Sequence, residues 1–203
     1  MREDAVLQIL ESVGAIRKGH FELTSGRHSA TYVQCALVLQ HPLHAENLGR
    51  ALAARFHDLP VSVIASPAIG GIVLGQEVAR ALAAKSGAGG SPRAIFAERD
   101  SSGSLTLRRG FTVSPGEKTL VIEDVWTTGG STFETIRVIE EAGGHVVAAG
   151  ALIDRSGGSV ELPVRTEALL TLAIDSYDAA ECPQCRTGNA AVRPGSRLSR
   201  AKP

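Results

Sequence analysis

Aromatic side chains are scarce in this chain of 203 residues: five Phe, two Tyr and one Trp make up 4% of it. That excludes a base-stacking platform as the main business of the protein. A surplus of positive charge is missing as well. Twenty-one Lys and Arg balance twenty-one Asp and Glu, which argues against a non-specific nucleic-acid binder, because such a protein needs basic residues to displace counterions. The balance is uneven along the chain. From Arg186 onward there are five basic residues and no acid, so the body is acidic and any anion it binds must be held by local devices. Three cysteines, Cys35, Cys182 and Cys185, cannot form a disulfide framework. No apolar run reaches the roughly 18 residues of a membrane span. The opening MREDAVLQILESVG carries acids and reads as an amphipathic helix, not a signal peptide. The expectation is a cytoplasmic protein with neither a membrane nor a nucleic-acid partner.

What is present is a core and an excess of glycine. Hydrophobic residues reach 43%, which excludes wholesale disorder. Glycine numbers 22 of 203, above the average usage of about 7%, without a collagen period. These glycines should mark tight turns and close approaches of backbone to ligand. Ala5, Ile9, Leu10 and Val13 predict a first helix closed by Gly14, and residues 20–40 alternate irregularly around a Ser25-Gly26 turn. Pro42–Phe56 reads as a helix, VSVIASPA (61–68) as a buried strand, and GIVLGQEVARALAAK as the helix after Gly70-Gly71. Residues 86–92 are a Gly/Ser loop. RAIFAE (93–98) is a strand, LTLRRGF (105–111) a hairpin arm and KTLVIEDV (118–125) the clearest strand of all. TFETIRVIEEAG is a helix; HVVAAGALID and EALLTLAI are strands. Alternating strands and helices with β-branched strands predict an α/β fold with an open parallel sheet. Residues 186–203 read as a poorly ordered tail.

The chemistry concentrates in TLVIEDVWTTGGS, Thr119 to Ser131. An apolar strand ends in two adjacent carboxylates, Glu123 and Asp124, at the edge where open α/β sheets place their ligands. A Thr-Thr-Gly-Gly-Ser loop then opens a helix. Glycines let backbone N–H groups converge on an anion, hydroxyls add donors, and the helix N-terminus favours negative charge. This is a phosphate cradle without the Gly-Lys-Ser/Thr of a nucleotide P-loop. Acids beside a phosphate repel it, so these should face a sugar diol or a metal escorting a second phosphate. Phosphate, diol and metal-bound diphosphate together describe phosphoribosyl pyrophosphate (PRPP). Taken singly, each piece could be a polar strand end or a Gly-rich turn; their order makes the case.

IEDVWTTGGS resembles the signature of the type I phosphoribosyltransferases. GHFELTSGRHSATYV (19–33), with its Phe-x-Leu-x-Ser-Gly-Arg segment, is similar to the orotate phosphoribosyltransferases, and SPAIGG (66–71) and LIDR (152–155) fit the same family. The resemblance spans roughly residues 5–175. It implies a type I phosphoribosyltransferase fold: a central parallel sheet flanked by helices, with a small N-terminal hood, in one domain over 1–180 (hood about 1–40). Residues 181–203 would be a CxxC turn and a basic tail, partly disordered. It also implies a homodimer with shared active sites. The activity implied is orotate phosphoribosyltransferase (EC 2.4.2.10): PRPP and orotate give orotidine 5′-phosphate and pyrophosphate, in pyrimidine biosynthesis. A phosphoribosyltransferase for another nucleobase, or a PRPP-sensing regulator on the same fold, is the competing reading.

Residue by residue, the resemblance puts PRPP on Glu123, Asp124, Val125, Trp126, Thr127, Thr128, Gly129, Gly130 and Ser131. The 5′-phosphate falls on Thr127 to Ser131 and the ribose hydroxyls on Glu123 and Asp124. Gly70 and Gly71 would hold pyrophosphate through backbone N–H groups. Thr127 and Arg155 would contact orotate; a fixed guanidinium suits planar acceptors. Asp124, which stabilises positive charge on the ribose, and Arg99, in the mobile loop, are the catalytic candidates. The cofactor is Mg²⁺, held mainly by PRPP with no direct protein ligand. Family members often carry lysines where this chain has Thr24 and Gly70, and more basic residues in the loop that here offers Arg99, Arg108 and Arg109. The last two read as a solvated hairpin face or subunit contact. Trp126 should pack beside the ribose site. His20 and His28 fall near the expected orotate pocket. Cys182-Pro183-Gln184-Cys185 is a lone CxxC with Cys35 far away in sequence, so it reads as a surface turn closing the domain, with a four-cysteine site shared across a dimer as the alternative.

Overall fold

The computed structural model describes residues 1–23, 25–84 and 91–194. Thr24, most of the Gly/Ser loop and the end of the tail lie outside the described residues. Among the described residues there are fifteen elements, and those from α3 to β8 follow the hydrophobic patterning. Helix α1 spans Glu3–Ser12, and an antiparallel hairpin of β1 (Ile16–Glu22) and β2 (His28–Val33) follows it. Then come α2 (Ala36–Leu39), α3 (Pro42–Ala53) with a 3-10 turn at Ala54–Phe56, β3 (Val63–Pro67) and α4 (Gly70–Ala83). The second half runs β4 (Arg93–Arg99), β5 (Leu105–Leu107), β6 (Lys118–Trp126), α5 (Gly130–Glu141), β7 (His145–Asp154), β8 (Arg165–Thr171) and α6 (Pro183–Arg186).

Six strands form one sheet in the order β5-β4-β3-β6-β7-β8. All neighbours are parallel except the edge strand β5, which runs antiparallel to β4. Strand alternation sends successive residues to opposite faces, and each face has its own core. Leu120, Ile122 and Ile64 pack with α1, α3 and α4 through Leu10, Leu48, Leu52 and Leu74. Val121, Val63 and Ala65 pack with Ile136 and Ile139 of α5. Residues buried on both faces explain why these strands read as continuous apolar runs rather than alternating ones.

Some boundaries differ from the patterning. α1 buries Val6 and Leu10 fully, and Ile9 and Val13 of the expected stripe pack half-buried against the same core, the inward face being set by packing against β8 and β1. The hairpin arm after Leu107 is short because Arg109 takes a left-handed φ of 57°, which ends the pairing. The hairpin β1–β2 reaches further back than residue 20. Most consequentially, the chain beyond Arg186 does not trail away where the composition changes. Val192 pairs with β1: its N–H donates to the His20 carbonyl (2.8 Å) and its carbonyl accepts from Glu22 N–H (2.9 Å). A composition rich in Pro, Gly, Ser and Arg does not reveal this pairing, because backbone hydrogen bonds carry no composition signal.

α3 and α4 cross closely at Gly49, where a Cβ would sit 2.5 Å from Glu77 Cβ and 2.9 Å from its backbone carbon. Gly49→Ala should therefore lower stability by about 1–3 kcal/mol through forced separation of the helices. Chemical denaturation of the variant checks this; an unchanged midpoint would mean the helices part without cost.

Candidate functional site

The carboxyl ends of β3, β6 and β7 converge at one edge of the sheet, the place where ligands bind in open α/β folds. The strand β6, its loop and α5 form a concave cradle of about 110 Å³ lined by Glu123, Val125, Trp126, Thr127, Thr128, Gly129, Gly130, Ser131 and Thr132. Gly129 caps α5 with a left-handed φ of 76°, and a Cβ there would come within 2.7 Å of Val160 Cγ1. Only glycine suits both demands. The cap leaves the first N–H groups of α5 without intrahelical partners at the cradle, since the intrahelical bonds begin with Phe133 N–H to the Gly129 carbonyl (2.8 Å); Gly130 N–H reaches only the Thr128 hydroxyl, at 3.4 Å. Trp126 is 3% exposed and its indole N–H donates to Thr132 Oγ1 at 2.9 Å. It braces the loop as a packing residue, as its place in the motif suggested.

The two acids stand at the end of β6. Asp124 lies against the first turn of α4: a Cβ on Gly70 would meet both of its carboxylate oxygens at 2.4 Å. Glu123 turns toward the cradle and is 7% exposed. Burial first, then the neighbouring Asp124 charge, pushes the Glu123 pKa up to about 9. At neutral pH Glu123 is thus held in its neutral form, which eases the repulsion an anionic ligand would meet. The raised pKa means the neutral form is the one the fold favours. Its stabilising contribution is full below the ordinary value of 4.5 and is lost as pH rises through about 9. Glu123→Gln should remove this decline, gaining at least about 1 kcal/mol, or about 2–4 °C in Tm, at pH 8 and almost nothing at pH 4.5. Melting curves across that pH range check it; parallel curves for the two proteins would contradict the protonated state.

Gly70 and Gly71 open α4 rather than preceding it, so the backbone donors expected of a loop are those of a helix N-terminus. Gly71 is also pinned, since a Cβ would lie 2.8 Å from the Ile122 carbonyl oxygen.

Thr127 and Thr128 are shared with a second, larger cleft of about 620 Å³. Arg155 stands in it beside Arg27, Tyr32, Ser156, Ile174 and Asp175. The Arg155 guanidinium has no hydrogen-bond partner among the described residues, and its burial pulls its pKa below the ordinary arginine value. Its backbone is fixed: Arg155 N–H donates to the Trp126 carbonyl at 2.9 Å. Asp154, 5% exposed, accepts from Ser156 N–H (2.8 Å) and Ser156 Oγ (2.6 Å), tying down the turn that carries Arg155. An unpaired, half-buried guanidinium on a rigid turn is a donor site for a planar acceptor.

Arg27, which the sequence placed in a recognisable Ser-Gly-Arg but not in the site, closes the other side. Its Nε donates to Ser176 Oγ (2.9 Å), its Nη2 to the Ser176 carbonyl, and its Nη1 pairs with Asp178 (3.1 Å). It holds the segment after β8 against the hairpin. Tyr32 and the Ala173–Ser176 stretch carry no local signal and are cleft residues only by folding.

Arg99 lines neither cavity. It ends β4 paired with Glu134 of α5 at 3.1 Å, and Glu134 also accepts Leu105 N–H at 2.7 Å. The tip between β4 and β5 closes on itself through Asp100, which accepts from Ser102 N–H at 2.8 Å. Arg109 pairs with Glu98 at 2.6 Å, on the hairpin face. His20 and His28 are not cleft residues. Both rings turn away from Arg155 to meet Cys182 and Cys185, so the CxxC is no surface turn: Cys182 is 1% exposed.

The chain matches the model of the phosphoribosyl transferase domain over residues 37–168. It is 53% identical over 197 residues to the orotate phosphoribosyltransferase of Pelotomaculum thermopropionicum, a match covering 97% of this chain and 99% of that one. In structure it is similar to the orotate phosphoribosyltransferase of Aeropyrum pernix, with a TM-score of 0.64 and 25% identity over 82% of this chain and 93% of that one. The Mycobacterium tuberculosis orotate phosphoribosyltransferase in complex with PRPP has the same fold, with a TM-score of 0.65 and 24% identity over 83% of this chain and 96% of that one.

Proposed function

The chain belongs to the orotate phosphoribosyltransferase family, and from that membership we propose that it transfers the 5-phosphoribosyl group of PRPP to N1 of orotate, releasing pyrophosphate. The observation that carries the substrate reading is the unpaired Arg155 in a cleft that shares Thr127 and Thr128 with an anion cradle. Such a cation matches the carboxylate and carbonyl edge of orotate, and adenine has no carboxylate to offer it.

In this reading the 5′-phosphate sits on the α5 N-terminus, with the N–H groups of Gly130 and Ser131 and the hydroxyls of Thr127, Thr128 and Ser131 as donors. Glu123, held neutral, and Asp124 hold the ribose diol, the first able to donate and both able to accept. Asp124 then faces the anomeric carbon as positive charge develops there, and electrostatic stabilisation of that charge is the main catalytic effect. Pyrophosphate leaves toward Gly70 and Gly71 at the start of α4. Arg99 reaches it only by exchanging Glu134 for the departing charge, a movement the small residues of the 100–104 tip permit.

The oxygen donors at this edge, Asp124 above all, fit a hard cation, and few protein ligands suit Mg²⁺, which keeps its waters and takes substrate phosphates. Bound there with PRPP, Mg²⁺ would supply the positive charge that the leaving pyrophosphate needs. The proposal includes a homodimer, for which exposed Ile69 (84%) and Leu43 (74%) are apolar surface a second copy would cover, and a cytoplasmic location. No helix among the described residues is long and apolar enough to cross a membrane.

Ultraviolet absorbance of orotate, followed with PRPP and Mg²⁺, tests the reading. Loss of the orotate band that stops on chelation of Mg²⁺ is expected; an unchanged band at saturating PRPP would refute it.

A further inference from the structure

We propose that this protein holds a structural Zn²⁺ ion on His20, His28, Cys182 and Cys185, a site separate from the active-site cleft. His20 lies in β1, His28 opens β2, Cys182 immediately precedes α6 and Cys185 sits within it. One ligand atom from each falls within 4.8 Å of all the others. Cys182 Sγ is 3.4 Å from His20 Nε2; Cys185 Sγ is 3.7 Å from the same nitrogen and 3.2 Å from His28 Nδ1. Tetrahedral zinc, with Zn–N about 2.0 Å and Zn–S about 2.3 Å, sets its ligands about 3.3–3.8 Å apart. The sulfur–nitrogen separations lie on that scale. The two ring nitrogens, at 2.8 Å, need to part by about half an ångström to share the ion.

The donor set points to zinc rather than to Mg²⁺ or Ca²⁺. Two thiolates and two imidazoles, with no carboxylate among them, are borderline-soft ligands in the Cys₂His₂ combination of closed structural sites. The surroundings are built for it. His20 Nδ1 lies 2.9 Å from the Asn189 carbonyl; donating there fixes the tautomer and aims the Nε2 lone pair into the cluster, the outer-shell arrangement that orients metal-bound histidines. The backbone N–H groups of Gln184 and Cys185 turn toward the Cys182 sulfur. His20, His28 and Cys182 are 7%, 8% and 1% exposed. Without a metal, the only strong hydrogen bond inside the cluster is that between the two imidazoles, and both thiols are left with weak partners. A disulfide is the other bland outcome, and both cysteines are free.

The position gives the ion a task. It would join the β1–β2 hairpin to a C-terminal segment about 160 residues away, where His28 and Tyr177 already exchange two backbone hydrogen bonds of 2.8 Å. Arg27, next to His28, lines the cleft. A small appendage with little core of its own is the kind of element that a metal stabilises.

The test uses the full chain purified without chelator or affinity metal. About one zinc per chain by elemental analysis is expected. Replacement by Co²⁺ should give the intense visible bands of a tetrahedral site with thiolate-to-cobalt charge transfer in the near ultraviolet. Both should be lost in Cys182→Ser/Cys185→Ser. Should that variant not fold, the wild-type chain still decides: Cys182 and Cys185 should resist maleimide until a chelator is added, then react. Less than a tenth of an equivalent of zinc together with failure of the reduced chain to take up Zn²⁺ would overturn the proposal. So would a Cys182–Cys185 disulfide in the purified protein, or a Co²⁺ spectrum unchanged in the serine variant.

Discussion

Replacing Arg155 with alanine is expected to lower kcat/KM for orotate by about 10²–10³-fold, most of it through KM, while the KM for PRPP stays within about twofold. The size follows from two charge-assisted hydrogen bonds made by a guanidinium that has no other partner, at about 1.5–3 kcal/mol each with the usual losses. Folding should be untouched, because no protein group is left unpaired by the change; the guanidinium accepts nothing and gives nothing in the free protein. Lysine should not restore activity, since a point charge on a flexible stem cannot present two parallel donors. Steady-state kinetics with each substrate varied in turn measure this. An orotate KM that is unchanged in Arg155→Ala would detach the cleft from base recognition and leave only the cradle to argue from.

The second large effect is expected at Gly129. Alanine there meets two separate obstacles. The left-handed backbone at φ 76° costs about 1–2 kcal/mol for a residue with a Cβ, and that Cβ would lie 2.7 Å from Val160 Cγ1. The chain escapes by shifting the loop that aims the α5 N–H groups at phosphate. A displacement near 1 Å is worth about 10²-fold in rate when positioning supplies the catalysis. Gly129→Ala should therefore lower kcat/KM for PRPP by about 10²-fold. Adding Val160→Ala relieves the overlap but not the backbone strain, so the double variant should recover part of the loss. Full recovery would show that crowding alone matters; none would put the whole effect on the backbone.

These two residues also mark what the sequence could and could not disclose. Gly129 belongs to a run in which strand, acid pair, Thr/Gly loop and helix are contiguous, and contiguity makes the chemistry readable. Arg155 stood out only through its resemblance to the LIDR of a family; nothing nearby distinguishes it from a solvated arginine until folding leaves it half-buried and unpaired. The rest of the cleft is assembled from residues far apart: Arg27 and Tyr32 from the hairpin, Ile174 to Ser176 from beyond β8. Their roles come from tertiary contacts that no local pattern encodes. The acids were legible as a pair but not in their division of labour. Burial makes Glu123 the neutral member, and a one-dimensional reading has no measure of burial. The pairing of Arg99 with Glu134 and the meeting of His20 and His28 with the CxxC were equally hidden, the latter because its halves are about 160 residues apart.

The sheet was legible for a different reason. Strands covered by helices on both sides must be apolar throughout, and runs such as VIASP and TLVIE announce that without help from their neighbours. Residues 187–194 differ from the composition's expectation because polar, proline-containing chain can still be held by backbone pairing, as Val192 is on β1.

The central claim, that the Arg155 cleft and the Thr127–Ser131 cradle work as one site on orotate and PRPP, is tested most directly by phosphorus NMR. The protein is given PRPP, Mg²⁺ and an equimolar mixture of orotate, uracil, adenine and hypoxanthine. PRPP should convert to pyrophosphate and orotidine 5′-phosphate in equal amounts, with the other three bases untouched until orotate is exhausted. Nucleotide formed from uracil or a purine while orotate remains would contradict it.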